Sequence, residues 1–92
     1  MKRNPSATKR MRQNEQRRIR NASARTAMRT SIKKVRAALQ ANDLNAARQA
    51  LQAAIPIIDQ SASSGITHRR TASRHISRLS SHLHQLQQRT AS

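Results

Sequence analysis

Residues 8–41 read TKRMRQNEQRRIRNASARTAMRTSIKKVRAALQA, without a Gly or a Pro. Met28, Ile32, Val35 and Leu39, spaced by four, three and four, line one stripe of an α-helix. Toward the N-terminus the same stripe carries Ala24, Asn21, Arg17, Asn14 and Arg10, all within roughly 40° of one direction at about 100° per residue. Lys9, Arg12, Arg18, Arg20 and Arg25 point elsewhere, so cations surround this half of the helix and no apolar face is left to pack on protein. The partner that suits such a rod is a polyanion present on several sides, which predicts a nucleic acid folded around it. At 1.5 Å per residue the helix is about 50 Å long and must protrude from any small domain.

The remaining two elements follow from turn chemistry. Asn42 tolerates the left-handed conformation that ends a helix, and Asp43 is a good N-cap for the next. A second helix over 44–63 buries Leu44, Ala47, Leu51, Ala54 or Ile55, Ile58 and Ala62. Pro56 lies inside it, removes the hydrogen bond to the Gln52 carbonyl and is expected to kink rather than break it. Gly65 supplies a positive φ for the second turn, and Thr67 is expected to cap a third helix ending near Gln88. Its seam is Ala72, Ile76, Leu79, Leu83 and Leu86, while Arg70, Arg74 and Arg78 form a row on the roughly opposite side. The fold class is therefore all-α: an antiparallel three-helix bundle with a long protruding first helix. Residues 1–7 read as a flexible arm, with Ser6 or Thr8 able to cap the first helix, and residues 8–92 as a single domain.

The core is thin. Of the apolar residues 15 are Ala, 14 are Ile, Leu or Val and three are Met, with no aromatic ring, which predicts partial disorder alone and ordering on the partner. The chain carries 19 basic residues against Glu15, Asp43 and Asp59. Residues 1–36 hold a net +12, residues 37–64 hold −1 and residues 65–92 hold +5, so charge sits at the two ends. Arg outnumbers Lys by 15 to four, which favours phosphate through the bidentate guanidinium fork.

Catalytic and cofactor chemistry is excluded by what is missing. The three acids sit in separate elements and cannot act as a pair. His68, His75 and His82 recur every seven residues, about 10.5 Å per step, too far apart for one ion to hold two of them. With one Gly there is no phosphate-cradling loop, and with no aromatic ring there is no platform for stacking bases. The expected protein is not an enzyme and has no catalytic residue, metal or cofactor. Without cysteine, a spanning segment or a secretory signal, it is expected in the cytoplasm. Arg, Lys, Asn, Ser and Thr contacts to phosphate and sugar position a protein without reading much sequence, so the shape of a folded RNA is the expected target. A histone-like, nucleoid-associated DNA-binding protein is the alternative that charge alone allows, and a helical protein acting on an acidic partner is the third.

Three runs carry a family resemblance. Ser6-Ala7-Thr8-Lys9-Arg10, Asn21-Ala22-Ser23-Ala24-Arg25-Thr26 and Arg29-Thr30-Ser31-Ile32-Lys33-Lys34-Val35-Arg36-Ala37-Ala38 resemble the long first helix of the S-twenty family of bacterial small-subunit ribosomal proteins. Pro56-Ile57-Ile58-Asp59, Gly65 followed by His68, and Ala72-Ser73-Arg74-His75 with Arg78-Leu79 match that family's later pattern. The family usually has Asn at the position of Arg70, an aliphatic residue at that of Thr67 and a basic one at that of Ile76. The resemblance implies a three-helix bundle that binds small-subunit ribosomal RNA directly and early in assembly, near the bottom of the subunit body. Its first helix would lie among RNA helices of the 5′ domain and reach the long penultimate helix. It also implies work in the cytoplasmic ribosome with few or no protein neighbours, no membrane and no homo-oligomer. The positions it carries over are Lys9, Arg10, Asn21, Ser23, Arg25, Arg29, Thr30, Lys33, Lys34, His68 and Arg74. Charge and placement add Arg12, Arg17, Arg18, Arg20, Arg69, Arg70 and Arg78.

Overall fold

The computed structural model describes residues 5–91 and contains three helices: α1, Pro5–Gln40; α2, Leu44–Ser63; and α3, Arg69–Ala91. The molecule measures 74 × 22 × 14 Å, and α1 alone, at 1.5 Å per residue, accounts for about 54 Å of that length. The arm expected over residues 1–7 falls, for residues 1–4, outside the described residues. From Pro5 onward the chain is helical, because a proline in the first turn has its φ preset and its missing N–H has no helical partner to lose. Ser6 and Thr8 accordingly stand inside α1, within its first turn, and not ahead of it.

The core is the set of stripes expected from periodicity. Met28, Ile32 and Val35 of α1 pack with Leu51, Ala54 and Ile58 of α2 and with Ala72 and Leu79 of α3, and Val35 and Ile58 have no exposed surface. Leu39, Ile55, Ile76 and Leu83 are half-buried around this centre. Ala47 and Leu86 are buried as well. Two hydroxyls enter the core, and both return to their own helix: Ser31 donates to the Met28 carbonyl and Ser61 to the Ile58 carbonyl, each at 2.7 Å. A buried serine that bonds back one turn leaves no polar atom unsatisfied.

Both turns close by the same device. At the end of α1 the Asp43 N–H donates to the Ala38 carbonyl and the Asn42 N–H to the Leu39 carbonyl, with Asn42 at φ 57°. At the end of α2 the Ile66 and Gly65 N–H groups donate to Ser61 and Ala62 in the same pattern, with Gly65 at φ 75°. These are Schellman motifs, which satisfy orphan carbonyls by placing one residue in the left-handed region. The Asp43 carboxylate then accepts from the Ala46 N–H at 3.1 Å and caps α2. Helix α2 runs unbroken through Pro56, whose ring is exposed. The Gln52 carbonyl that loses its donor belongs to an exposed residue, where water can replace the bond.

The start of α3 differs from expectation. His68, not Thr67, occupies the cap: its carbonyl accepts from the Ala72 N–H at 3.0 Å and its ring Nδ1 from the Arg70 N–H at 3.1 Å. Thr67 is half-buried, with its hydroxyl 3.5 Å from the Met28 sulfur. Packing against the core therefore displaced the cap by one residue. The helix also continues past Gln88 to Ala91, where the Thr90 hydroxyl bonds back to the Leu86 and Gln87 carbonyls at 3.0 Å. No helix-breaking residue stands in that stretch to end it earlier.

Candidate nucleic-acid interface

Every side chain from Lys9 to Ser23 is exposed, and beyond them the burial of α1 against the other helices begins at Ala24 and Met28. The stripe that is apolar at Met28, Ile32 and Val35 does carry Arg17 and Arg10 farther along, and there it meets no protein among the described residues. Exposed Met11 and Ile19 are the large apolar side chains of this half, and they do not share the packing stripe. All eighteen residues expected to bind are exposed. Arg18 holds Glu15, with Nη2 2.6 Å from the carboxylate, and this partner keeps the Glu15 carboxyl below the usual carboxylate range. Both groups lie at the surface, so the pair contributes little to stability.

The path of the chain brings the cations of α3 to those of α1. Three successive helices make α3 run in the same direction as α1. Thr67 meets Met28, 39 residues earlier in the chain. The same separation recurs where Arg36 of α1 acts on His75 of α3. Arg70, Arg74 and Arg78 consequently run beside the stretch of α1 that holds Arg29, Lys33 and Arg36. Helix α2 contributes almost no charge of its own. Its Arg48 is taken up internally: with the Gln87 carboxamide oxygen turned toward it, the guanidinium donates from Nε at 3.0 Å and also from Nη2. Gln49, Gln52, Pro56 and Gln60 leave its outer face uncharged. The molecule thus has a cationic rod, a cationic side formed by α1 and α3, and a neutral back.

Sequence reasoning missed several residues on the α1–α3 side. Arg36, Leu39 and Gln40 line a groove of about 360 Å³ with His82, Gln85 and Arg89. His75 lies half-buried on the same face of α3. Partial burial and the guanidiniums of Arg36, Arg78 and Arg74 hold the His75 imidazole below its ordinary pKa. The only advance sign of this cluster was that an up-down-up bundle puts its first and third helices side by side. Among the described residues no three His, Cys, Asp or Glu side chains are grouped to hold a metal ion, and no helix is long and apolar enough to cross a membrane.

A three-helix bundle with a long first helix is the fold that the family resemblance implied, and comparison with known proteins decides the family. A family model described as ribosomal protein S20 matches residues 2–84. The chain belongs to the ribosomal protein S20 family. It is 53% identical over 74 residues to the small ribosomal subunit protein bS20 of Geobacter metallireducens, a match spanning 80% of this chain and 85% of the relative. The bS20 protein of Teredinibacter turnerae is 48% identical over 83 residues, spanning 90% and 94%. That of Pseudomonas aeruginosa is 52% identical over 79 residues, spanning 86% and 87%. The S20 family is one of structural ribosomal components and not of enzymes, in keeping with the absence of any catalytic constellation in the sequence. The family match includes the whole of α1 and α2 and all eighteen expected RNA-binding residues.

Proposed function

We propose that this ribosomal protein of the small subunit works by binding ribosomal RNA directly, and that it stabilises the packing of RNA helices as the subunit assembles. The observation that carries the reading is the exposed half of α1: a helix whose packing stripe holds Arg10, Asn14, Arg17 and Asn21 and meets no protein among the described residues. Charge placed where a helix would bury side chains is accounted for by phosphate on several sides. In this reading Lys9, Arg10, Arg12, Arg17, Arg18, Arg20 and Arg25 clamp several RNA segments around the rod. Arg29, Lys33 and Lys34, together with His68, Arg69, Arg70, Arg74 and Arg78, hold further strands against the bundle, while Asn21, Ser23 and Thr30 reach sugar or phosphate oxygens. The uncharged outer face of α2 is directed away from RNA, and the protein works in the cytoplasmic ribosome with few protein neighbours.

The test is competition. A folded 5′-domain fragment of small-subunit RNA is expected to displace the protein from random duplex DNA at moderate salt, and the native protein is expected to sediment with small subunits in a nuclease-sensitive manner. Equal affinity for duplex DNA, or sedimentation that survives nuclease, overturns the reading in favour of a DNA-compacting protein or a protein-bound one.

A further inference from the structure

The positive groups on α1 and α3 are not evenly spread. Arg36 lines the groove between these helices together with His82, and it also acts on His75, which lies two turns earlier on α3. The 39-residue register of Met28 with Thr67 sets Arg36 level with His75, and the shared groove carries it toward His82, so it lies alongside the residue between them on that face, Arg78. On α3 itself, Arg74, His75 and Arg78 fall within roughly 100° of arc at 100° per residue. Three guanidiniums and an imidazole therefore converge from two helices. No acid answers them: Glu15 lies far along α1 with Arg18, Asp43 caps α2, and Asp59 faces a separate depression with Arg69 and Ser73. The other charge of α2, Arg48, is held by Gln87.

Like charges gathered across a helix–helix contact oppose that contact in water and favour it once an anion lies between them. A phosphate group has the geometry for the task, since two guanidinium forks can each donate to its oxygens while the imidazole supplies a further donor. We infer that Arg36, Arg74, His75 and Arg78 form a single phosphate site bridging α1 and α3, so that phosphate held there draws the third helix onto the first. The site rests on the RNA-binding reading, and it adds a coupling: the backbone phosphate that enters it also completes the bundle. Exposed cations along the rod hold RNA without this consequence, because nothing in the protein closes around them.

The probe is sodium tripolyphosphate, added to the full-length protein at constant ionic strength. Thermal unfolding followed by circular dichroism is expected to shift upward with the probe. Proton NMR is expected to show the His75 titration moving toward higher pH, with His68 and His84, which lie off the groove, moving less. Arg36→Gln is expected to need at least tenfold more tripolyphosphate for both effects, and Arg36→Lys to retain most of the response. Arg78→Gln, on the other helix, is expected to behave as Arg36→Gln does. Equal movement of all four histidines, or a wild-type response in both Gln variants, overturns the site. Binding of the same variants to the 5′-domain RNA fragment separates the two levels: retained RNA binding with no tripolyphosphate response removes the site and leaves the RNA reading standing, whereas failure of the wild-type protein to prefer that RNA removes the reading itself.

Discussion

The hydroxyl of Ser61, near the end of α2, lies 3.3 Å from the sulfur of Met28, the buried residue of α1 nearest the N-terminus. Here the core stops. The Thr67 hydroxyl lies 3.5 Å from the same sulfur, so the first helix is gripped at this level by the end of one helix and the lead-in to the next. Met28→Ala is expected to destabilise the bundle by about 2 kcal/mol, the low end for a buried Met, because the site lies at the edge of the core. Met11→Ala, an exposed methionine on the free half, is expected to change stability by less than about 0.5 kcal/mol. Urea unfolding of the two variants compares them directly, and equal midpoints would show that α1 is not anchored at Met28.

The turn between α1 and α2 divides its work between adjacent residues. Asn42 takes the left-handed conformation, and Asp43 caps the following helix through the Ala46 N–H. Asp43→Ala is expected to cost about 1 kcal/mol, as the loss of an N-cap generally does. Asn42→Gly is expected to be neutral or slightly stabilising, since glycine reaches φ 57° without a Cβ clash, whereas Asn42→Val is expected to cost about 1–2 kcal/mol. Thermal unfolding of the single variants orders them; a Val variant as stable as wild type would remove the left-handed turn from the account.

These turns and the three seams were legible because they depend on local rules. A spacing of three and four residues, an Asn-Asp pair and a single Gly each have one structural meaning in a helical chain. The cap of α3 was not legible, because Thr67 and His68 can both accept a backbone N–H and the choice is made by packing against Met28, distant in sequence. The eighteen expected RNA-binding residues are all exposed: most lie off the seams, whereas Arg10, Arg17 and Asn21 lie on the stripe of α1 beyond the end of the core. The grouping of Arg36 with His75 was invisible for the same reason as the cap: neither helix alone signals it, and it arises from the register in which α1 and α3 lie.

The rod's cations are expected to act additively on RNA. Replacing Arg17, Arg25 and Lys33 with Gln leaves the fold intact, because all three are exposed. Affinity for the RNA fragment is expected to fall, and the slope of log affinity against log salt to flatten by about 0.7–0.9 for each phosphate that the protein no longer neutralises. Glu15→Gln is expected to act in the opposite direction, since it releases Arg18 from its ion pair and removes a negative charge from the rod. Filter binding over a salt series measures the triple variant and Glu15→Gln against wild type. An unchanged slope in the triple variant would mean that these residues face solvent in the bound state.

Protonation of His75 should make the bundle weaker in mild acid. Partial burial and its Arg36, Arg78 and Arg74 neighbours depress the imidazole pKa in the folded state, whereas in the unfolded chain it returns to about 6.5. Between those two values the unfolded chain holds more protons than the folded one, so stability rises with pH through that window. The stabilisation is fully present above about pH 6.5 and is lost as the pH falls through the lower, folded-state value. The urea midpoint of wild-type protein is thus expected to drop between about pH 7.5 and about pH 5, a range in which the carboxylates stay ionised. His75→Gln should lose most of that dependence, and Arg36→Gln should lose part of it, because one of the three repelling guanidiniums is gone. A wild-type pH response in the His75→Gln protein would assign the titration to another group and remove the cation cluster as its cause.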